Sequence, residues 1–138
     1  MKFEIHLKEG IDDLVFGSSI EDIINKIGSP TDAEEMGEDI DYPTTVLHYD
    51  ELGLNLFFDN NGYNKLSCID MDSSEATLFG EKIIGLPPRK VEELMIKNNL
   101  FNETKEKEDW GELRISFEDY SVDFYFIDEK LVSITFGK

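Results

Sequence analysis

The sequence predicts an α+β fold: two tandem copies of a helix followed by a three- to four-stranded antiparallel sheet, helices on one face and the other sheet face open. Three observations lead there. Shifting the chain by 68 residues lays Phe16-Gly17 on Ile84-Gly85 and Ile23 and Ile27 on Val91 and Met95. The same shift lays Leu54, Leu56 and Phe58 on Val122, Phe124 and Phe126, strands with period-two alternation. At an offset of 65, Lys65-Leu66-Ser67-Cys68-Ile69 matches Lys130-Leu131-Val132-Ser133-Ile134. The expectation is one compact domain, 1–138, made of two repeats at about 1–72 and 73–138.

The elements follow in order. A strand over Lys2–Leu7 comes first, then a short apolar lead, Leu14-Val15-Phe16-Gly17. Ser19 suits the N-cap of a helix from Ile20 to Ile27, stopped by Gly28 and Pro30. A polar stretch leads to three strands, Thr45–Asp50, Leu54–Phe58 and Lys65–Met71, with hairpin chemistry at Gly53 and Asn60-Asn61-Gly62. In the second copy a strand over Glu75–Phe79 precedes the lead Lys82-Ile83-Ile84-Gly85. Pro87 and Pro88 then suit a first helical turn, with Val91, Leu94, Met95 and Leu100 as the apolar stripe. Strands over Glu112–Glu118, Ser121–Ile127 and Leu131–Phe136 complete it.

Alternation divides the faces. Leu54, Leu56, Phe58, Val122, Phe124 and Phe126 belong to the helix-covered side, with Tyr49, Phe117, Ile69 and Ile134. The other side receives Asn55, Phe57 and Asp59, Asp123, Tyr125 and Ile127, and Val46, His48, Arg114 and Ser116. Leu66, Cys68 and Leu131 are expected there too. Phe57 and Tyr125 put an aromatic at the same place in each copy. They serve either as anchors for a partner or as cross-strand packing that a second copy covers.

Charge narrows the function. Among 138 residues, 31 Asp and Glu face 13 Lys and Arg, a net −18. That balance argues against nucleic acid, whose affinity comes from cations on phosphates, and against anionic membranes. Ten Phe, five Tyr and one Trp spread along the chain argue against a disordered acidic tail. The single cysteine, Cys68, makes no internal disulfide, and the alternating N-terminus is unlike a secretion signal, so a cytoplasmic bacterial protein is expected. The acids concentrate in two corresponding loops. Residues 29–44 carry −6 and include Glu38, Asp39, Asp41 and Tyr42; residues 101–112 carry −3 and include Glu108, Asp109 and Trp110. An aromatic beside carboxylates is a fitting anchor for a basic partner, although solvated loops are often acidic without one.

Signatures of catalysis are weak. His6 and His48 lack metal-ligand spacing with Cys68, and neither a phosphate-binding loop nor a nucleophile elbow occurs. Gly17-Ser18-Ser19 reads as a helix cap, and Asp59-Asn60-Asn61-Gly62 as a hairpin turn. Cys68 with His48 as its base is the one nucleophile pair to consider. No catalytic residue, cofactor or metal is therefore expected.

Phe16-Gly17-Ser18-Ser19-Ile20-Glu21 and Ile27-Gly28-Ser29-Pro30 resemble the helix-bounding segments of the β-lactamase inhibitory protein architecture and of related small bacterial proteins. The second copy departs from that pattern, with Pro87-Pro88 for the serine cap and no terminal Gly-x-Pro. The resemblance implies binding of another protein across a sheet face. The expected function is a non-catalytic intracellular immunity or inhibitor protein that occludes a basic bacterial toxin. Glu38, Asp39, Asp41, Tyr42, Phe57, Glu108, Asp109, Trp110 and Tyr125 would meet the partner. The alternatives are a scaffold that self-associates, as a homodimer for example, through the open face, and a small-molecule-binding domain or enzyme with a pocket between the repeats.

Overall fold

A computed structural model describes residues 2–36, 44–59 and 64–138. Among the described residues there are two α-helices. Helix α1 (Ile20–Ile27) begins at Ser19, whose Oγ accepts the Asp22 N–H at 3.1 Å, and ends where the Gly28 N–H reaches Ile24 O at 2.8 Å. Helix α2 (Pro88–Lys97) starts on Pro88, where a missing N–H costs nothing, and buries Val91, Leu94 and Met95. Neither is long and apolar enough to cross a membrane.

The rest is mostly β, and here the expected fold is corrected. Two tandem units, each a helix with its own three- or four-stranded sheet, do not form. The strands β4 (Asp32–Met36), β5 (Thr44–Tyr49), β6 (Leu54–Asp59) and β7 (Lys65–Met71) join β10 (Thr104–Lys107), β11 (Leu113–Phe117), β12 (Val122–Ile127) and β13 (Lys130–Gly137) in one eight-stranded sheet. The order is β10-β11-β12-β13-β7-β6-β5-β4. The seam is β7 against β13, antiparallel, with Met71 opposite Ile134, Asp70 opposite Thr135 and Ile69 opposite Phe136. Left separate, each set would expose an apolar strand edge; joining them buries both and leaves short charged strands outermost.

A second sheet of five strands joins the two expected strands, Lys2–Leu7 and Glu75–Phe79, to parts of the apolar leads that follow them. Its order is β3 (Leu14–Val15), β2 (Gly10–Ile11), β1 (Glu4–His6), β8 (Thr77–Leu78), β9 (Glu81–Lys82). β1 pairs β2 antiparallel and β8 parallel, so residues from the beginning of the chain lie beside residues from its middle. Ile5, Ile11, Leu14, Leu78 and Ile83 share one continuous core with Ile23, the three buried α2 residues and the inward row of the large sheet. The inner face of the large sheet is thus covered by helices and a second sheet together, not by helices alone.

Bulges correct the face assignment of two leucines. β6 and β7 slip register after Phe57, where Cys68 is opposite Phe57 but Leu66 is opposite Phe58. β12 and β13 do the same after Tyr125, with Leu131 opposite Phe126. Each extra residue (Ser67, Val132) turns the preceding leucine inward. Leu66 and Leu131 are fully buried core residues, not outer-face ones.

Candidate functional site: the outer face of the eight-stranded sheet

The outward positions of the large sheet lie outside the main core and are mostly half-buried. Register lines them up. Thr104, Ser116, Asp123, Thr135, Asp70, Asn55, His48 and Asp32 stand opposite one another in turn, one from each strand. A polar row therefore crosses the whole sheet. Beside it run Glu34, Val46, Phe57 and Cys68 from one half, and Glu106, Arg114, Tyr125 and Ser133 from the other.

Within the row, side chains are wired together. Asp70 accepts from Asn55 Nδ2 at 3.3 Å and from Thr135 Oγ1 at 3.2 Å. With its amide nitrogen on Asp70, Asn55 presents Oδ1 to His48 Nδ1, 2.6 Å away. His48 Nε2 lies 2.7 Å from Glu34 Oε1. Two acceptors on one ring require both nitrogens to carry protons, so this geometry selects the imidazolium. The Asn55 hydrogen bond, then that of Glu34, holds the His48 pKa above its ordinary 6.5, against a smaller opposing effect of burial.

The sign of the pH effect follows. A histidine whose pKa rises on folding contributes stability that is complete below about pH 6.5 and is lost as pH climbs through the raised value. The pair is partly exposed, so the expected size is about 0.5–1 kcal/mol. Urea unfolding at pH 6 and pH 8 should therefore show a difference that shrinks in His48→Gln. An NMR titration placing His48 at or below its ordinary value would overturn this.

Cys68 does not form the nucleophile pair with His48. The two lie on β7 and β5 with β6 between them, and in different rows. Burial first, then Asp70 and Asp123, push the Cys68 thiol up to about 11, the reverse of an activated thiolate.

The expected partner-binding residues divide into three groups. Phe57 and Tyr125 are half-buried on the outer face, on β6 and β12, with β7 and β13 between them. Glu108, Asp109 and Trp110 form the exposed tip of the β10–β11 hairpin, closed by the Glu108 N–H to Glu112 O at 2.8 Å. Trp110 is 67% exposed and points to solvent, not into the core. Glu38, Asp39, Asp41 and Tyr42 lie outside the described residues.

Parts of both acidic loops are strands. β4 and β10 are exposed at every position, so they lack the alternation by which strands are recognised. Glu34 and Glu106 were missed for that reason, although Glu34 bonds His48 and Glu106 bonds Arg114. Asp70 and Thr135 were within reach of sequence reasoning: each sits between two inward apolar residues. Behind β10, Lys105 Nζ lies 3.1 Å from Glu92 of α2 and 3.8 Å from Glu103. Burial first, then the neighbouring Glu92, push the Glu103 carboxyl up to about 7.

No protein-family model matches the chain, and no curated protein matches it. Two solved structures are similar. The crystal structure of the uncharacterized protein yfeY from Escherichia coli has a TM-score of 0.56 at 13% identity, each chain covered over its full length. An extracellular protein containing an SCP domain from Bacillus anthracis str. Ames has a TM-score of 0.53 at 17% identity, over 97% of this chain and 50% of that one. This chain thus spans about half the length of the second protein. At such identities the likeness shows a common fold, and the argument for function rests on this chain's own residues.

Proposed function

We propose that this chain is a non-catalytic binding protein that covers a basic surface of another protein with the outer face of its eight-stranded sheet. One observation carries the reading: the composition of that face. Asp32, Glu34, Asp59, Asp70, Glu106 and Asp123 project there against Lys65, Arg114 and Lys130, around a half-buried Phe57 and Tyr125. Aromatic anchors amid one sign of charge suit a partner of the opposite sign. Self-association through the same face is disfavoured, because it would set carboxylates against carboxylates.

The finer form of the proposal is an immunity or inhibitor protein. Its partner is a basic toxin domain, neutralised in the cytoplasm by occlusion. The natural candidate is the basic C-terminal domain of a large protein encoded by the adjacent upstream gene. Binding to that domain should weaken at least about tenfold as salt rises from about 0.05 to about 0.5 M. Phe57→Ala with Tyr125→Ala should weaken it by a similar factor, read by calorimetric titration. Binding indifferent to both salt and these substitutions would sink the outer-face reading. The absence of such a gene would remove the toxin partner.

A further inference from the structure

A cavity of about 410 Å3 opens on the outer face, where β11, β12, β13 and β7 approach the 3-10 turn Glu118–Tyr120. Cys68, Arg114, Ser116, Glu118, Asp123 and Thr135 are among its lining residues. The volume is in the range that receives small organic groups.

The polar groups in it are unevenly matched. Arg114 is taken by Glu106 of β10. Thr135 donates to Asp70. Asp123 and Glu118 have no ion-pair partner among the described residues, and neither does the Ser116 hydroxyl have a hydrogen-bond partner there. Ser116 is only 6% exposed, flanked on its strand by the core residues Ile115 and Phe117, and turned to the cavity side of the sheet. The hydroxyl itself is not sealed off: it is open to the cavity, so a group entering there can supply its partner.

Two neighbouring groups report the sign of the local field. Asp70 and Asp123 both raise Cys68, after burial. Asp123 also raises Tyr125 by more than Arg114 lowers it. The field at the cavity is therefore negative despite the arginine in its wall, and Cys68 presents a neutral thiol there.

We propose that this cavity receives one lysine or arginine side chain of the basic partner, its cationic head between Asp123 and Glu118 and one N–H donated to Ser116 Oγ. Cys68 and the neighbouring backbone would flank the methylene stem. The inference rests on the docking reading above and names the chemistry of its central contact. A free anion is a poor occupant, because it would face two carboxylates while Arg114, the guanidinium of the cavity wall, is already paired.

The test uses the full chain and three probes followed by amide NMR: the N-acetyl amides of arginine, lysine and norleucine. The cationic amides should shift resonances confined to residues 68, 114–118, 121–123 and 135–137, and the neutral norleucine amide should not. Asp123→Asn, an isosteric change, should weaken the cationic probes at least about tenfold, and Glu118→Gln and Ser116→Ala by smaller factors. Shifts spread over the whole acidic surface, or affinity unchanged in Asp123→Asn, would overturn the proposal. So would binding of putrescine at least about tenfold tighter than either amide, which would assign the cavity to a diffusible amine. Against the basic partner itself the two readings separate. If Phe57→Ala with Tyr125→Ala weakens binding while Asp123→Asn does not, the cavity inference falls and the outer face stands. If neither weakens it, both fall.

Discussion

Replacing Phe124 with alanine is expected to cost about 3–5 kcal/mol of stability, a large share of the roughly 5–15 kcal/mol of a whole domain. Phe124 lies on β12 with no exposed surface, opposite Ile115 on one side and Ile134 on the other. Its ring meets Phe117 edge to face, centroids 6.0 Å apart at 90°. Truncation therefore removes apolar burial and an aromatic pair, and opens a hole in a core shared by both sheets and both helices. The surroundings are held by strand pairing on both sides, so they collapse little. Urea unfolding followed by far-ultraviolet circular dichroism should show a much lower midpoint. Tryptophan fluorescence is the poorer probe, since the only tryptophan, Trp110, is already in solvent. A loss below about 1 kcal/mol would mean that the core does not close around this ring.

The same position shows what the sequence could reveal. Phe124 alternates with Asp123 and Tyr125, and that pattern was enough to assign β5, β6, β7, β11, β12 and β13 and the inward side of each, except at Leu66 and Leu131 beyond the bulges. Ser19 and Gly28 likewise marked both ends of α1. Period-two alternation says which way a side chain points; it does not say which strand lies alongside. The β7–β13 seam, which makes one sheet of two sets, is a long-range pairing with no local signature. β2, β3 and β9 are two residues each, too short for any period to register, whereas β8 lies within the expected strand Glu75–Phe79.

The candidate site divides along the same line. His48, Asn55, Phe57, Asp123 and Tyr125 were assigned to the outer face by alternation alone. The wiring of Glu34 to His48 to Asn55 to Asp70 needs the register of four strands, one of them uniformly exposed. Bulges at Ser67 and Val132 defeat simple counting, because one extra residue inverts every assignment on its far side. Fold class suffered most from these limits, because it depends on how strands assemble more than on where they lie.

The second sheet should fail at one atom. Gly10 has φ of +139°, a conformation that L side chains rarely adopt, and a Cβ added there would sit 2.1 Å from the Leu14 carbonyl oxygen. That oxygen belongs to the backbone of β3, so no rotamer change relieves the contact. Gly10→Ala must move β2 away from β3 or twist the peptide, and backbone strain alone is of order 1–3 kcal/mol. With the clash added, the expected loss exceeds about 3 kcal/mol, because Ile11 and Leu14 are core residues carried by the same hairpin. Gly17→Ala is the control: φ there is +93°, yet a Cβ would meet nothing within 4 Å. It should cost only about 1 kcal/mol, the strain without the collision. Amide exchange would place the damage, fastest in β1–β3 and slower in β6, β7, β12 and β13, which pair on both sides within the large sheet. Equal unfolding midpoints for the two variants would contradict the close approach of β2 to β3, and with it the account of how the second sheet closes the core.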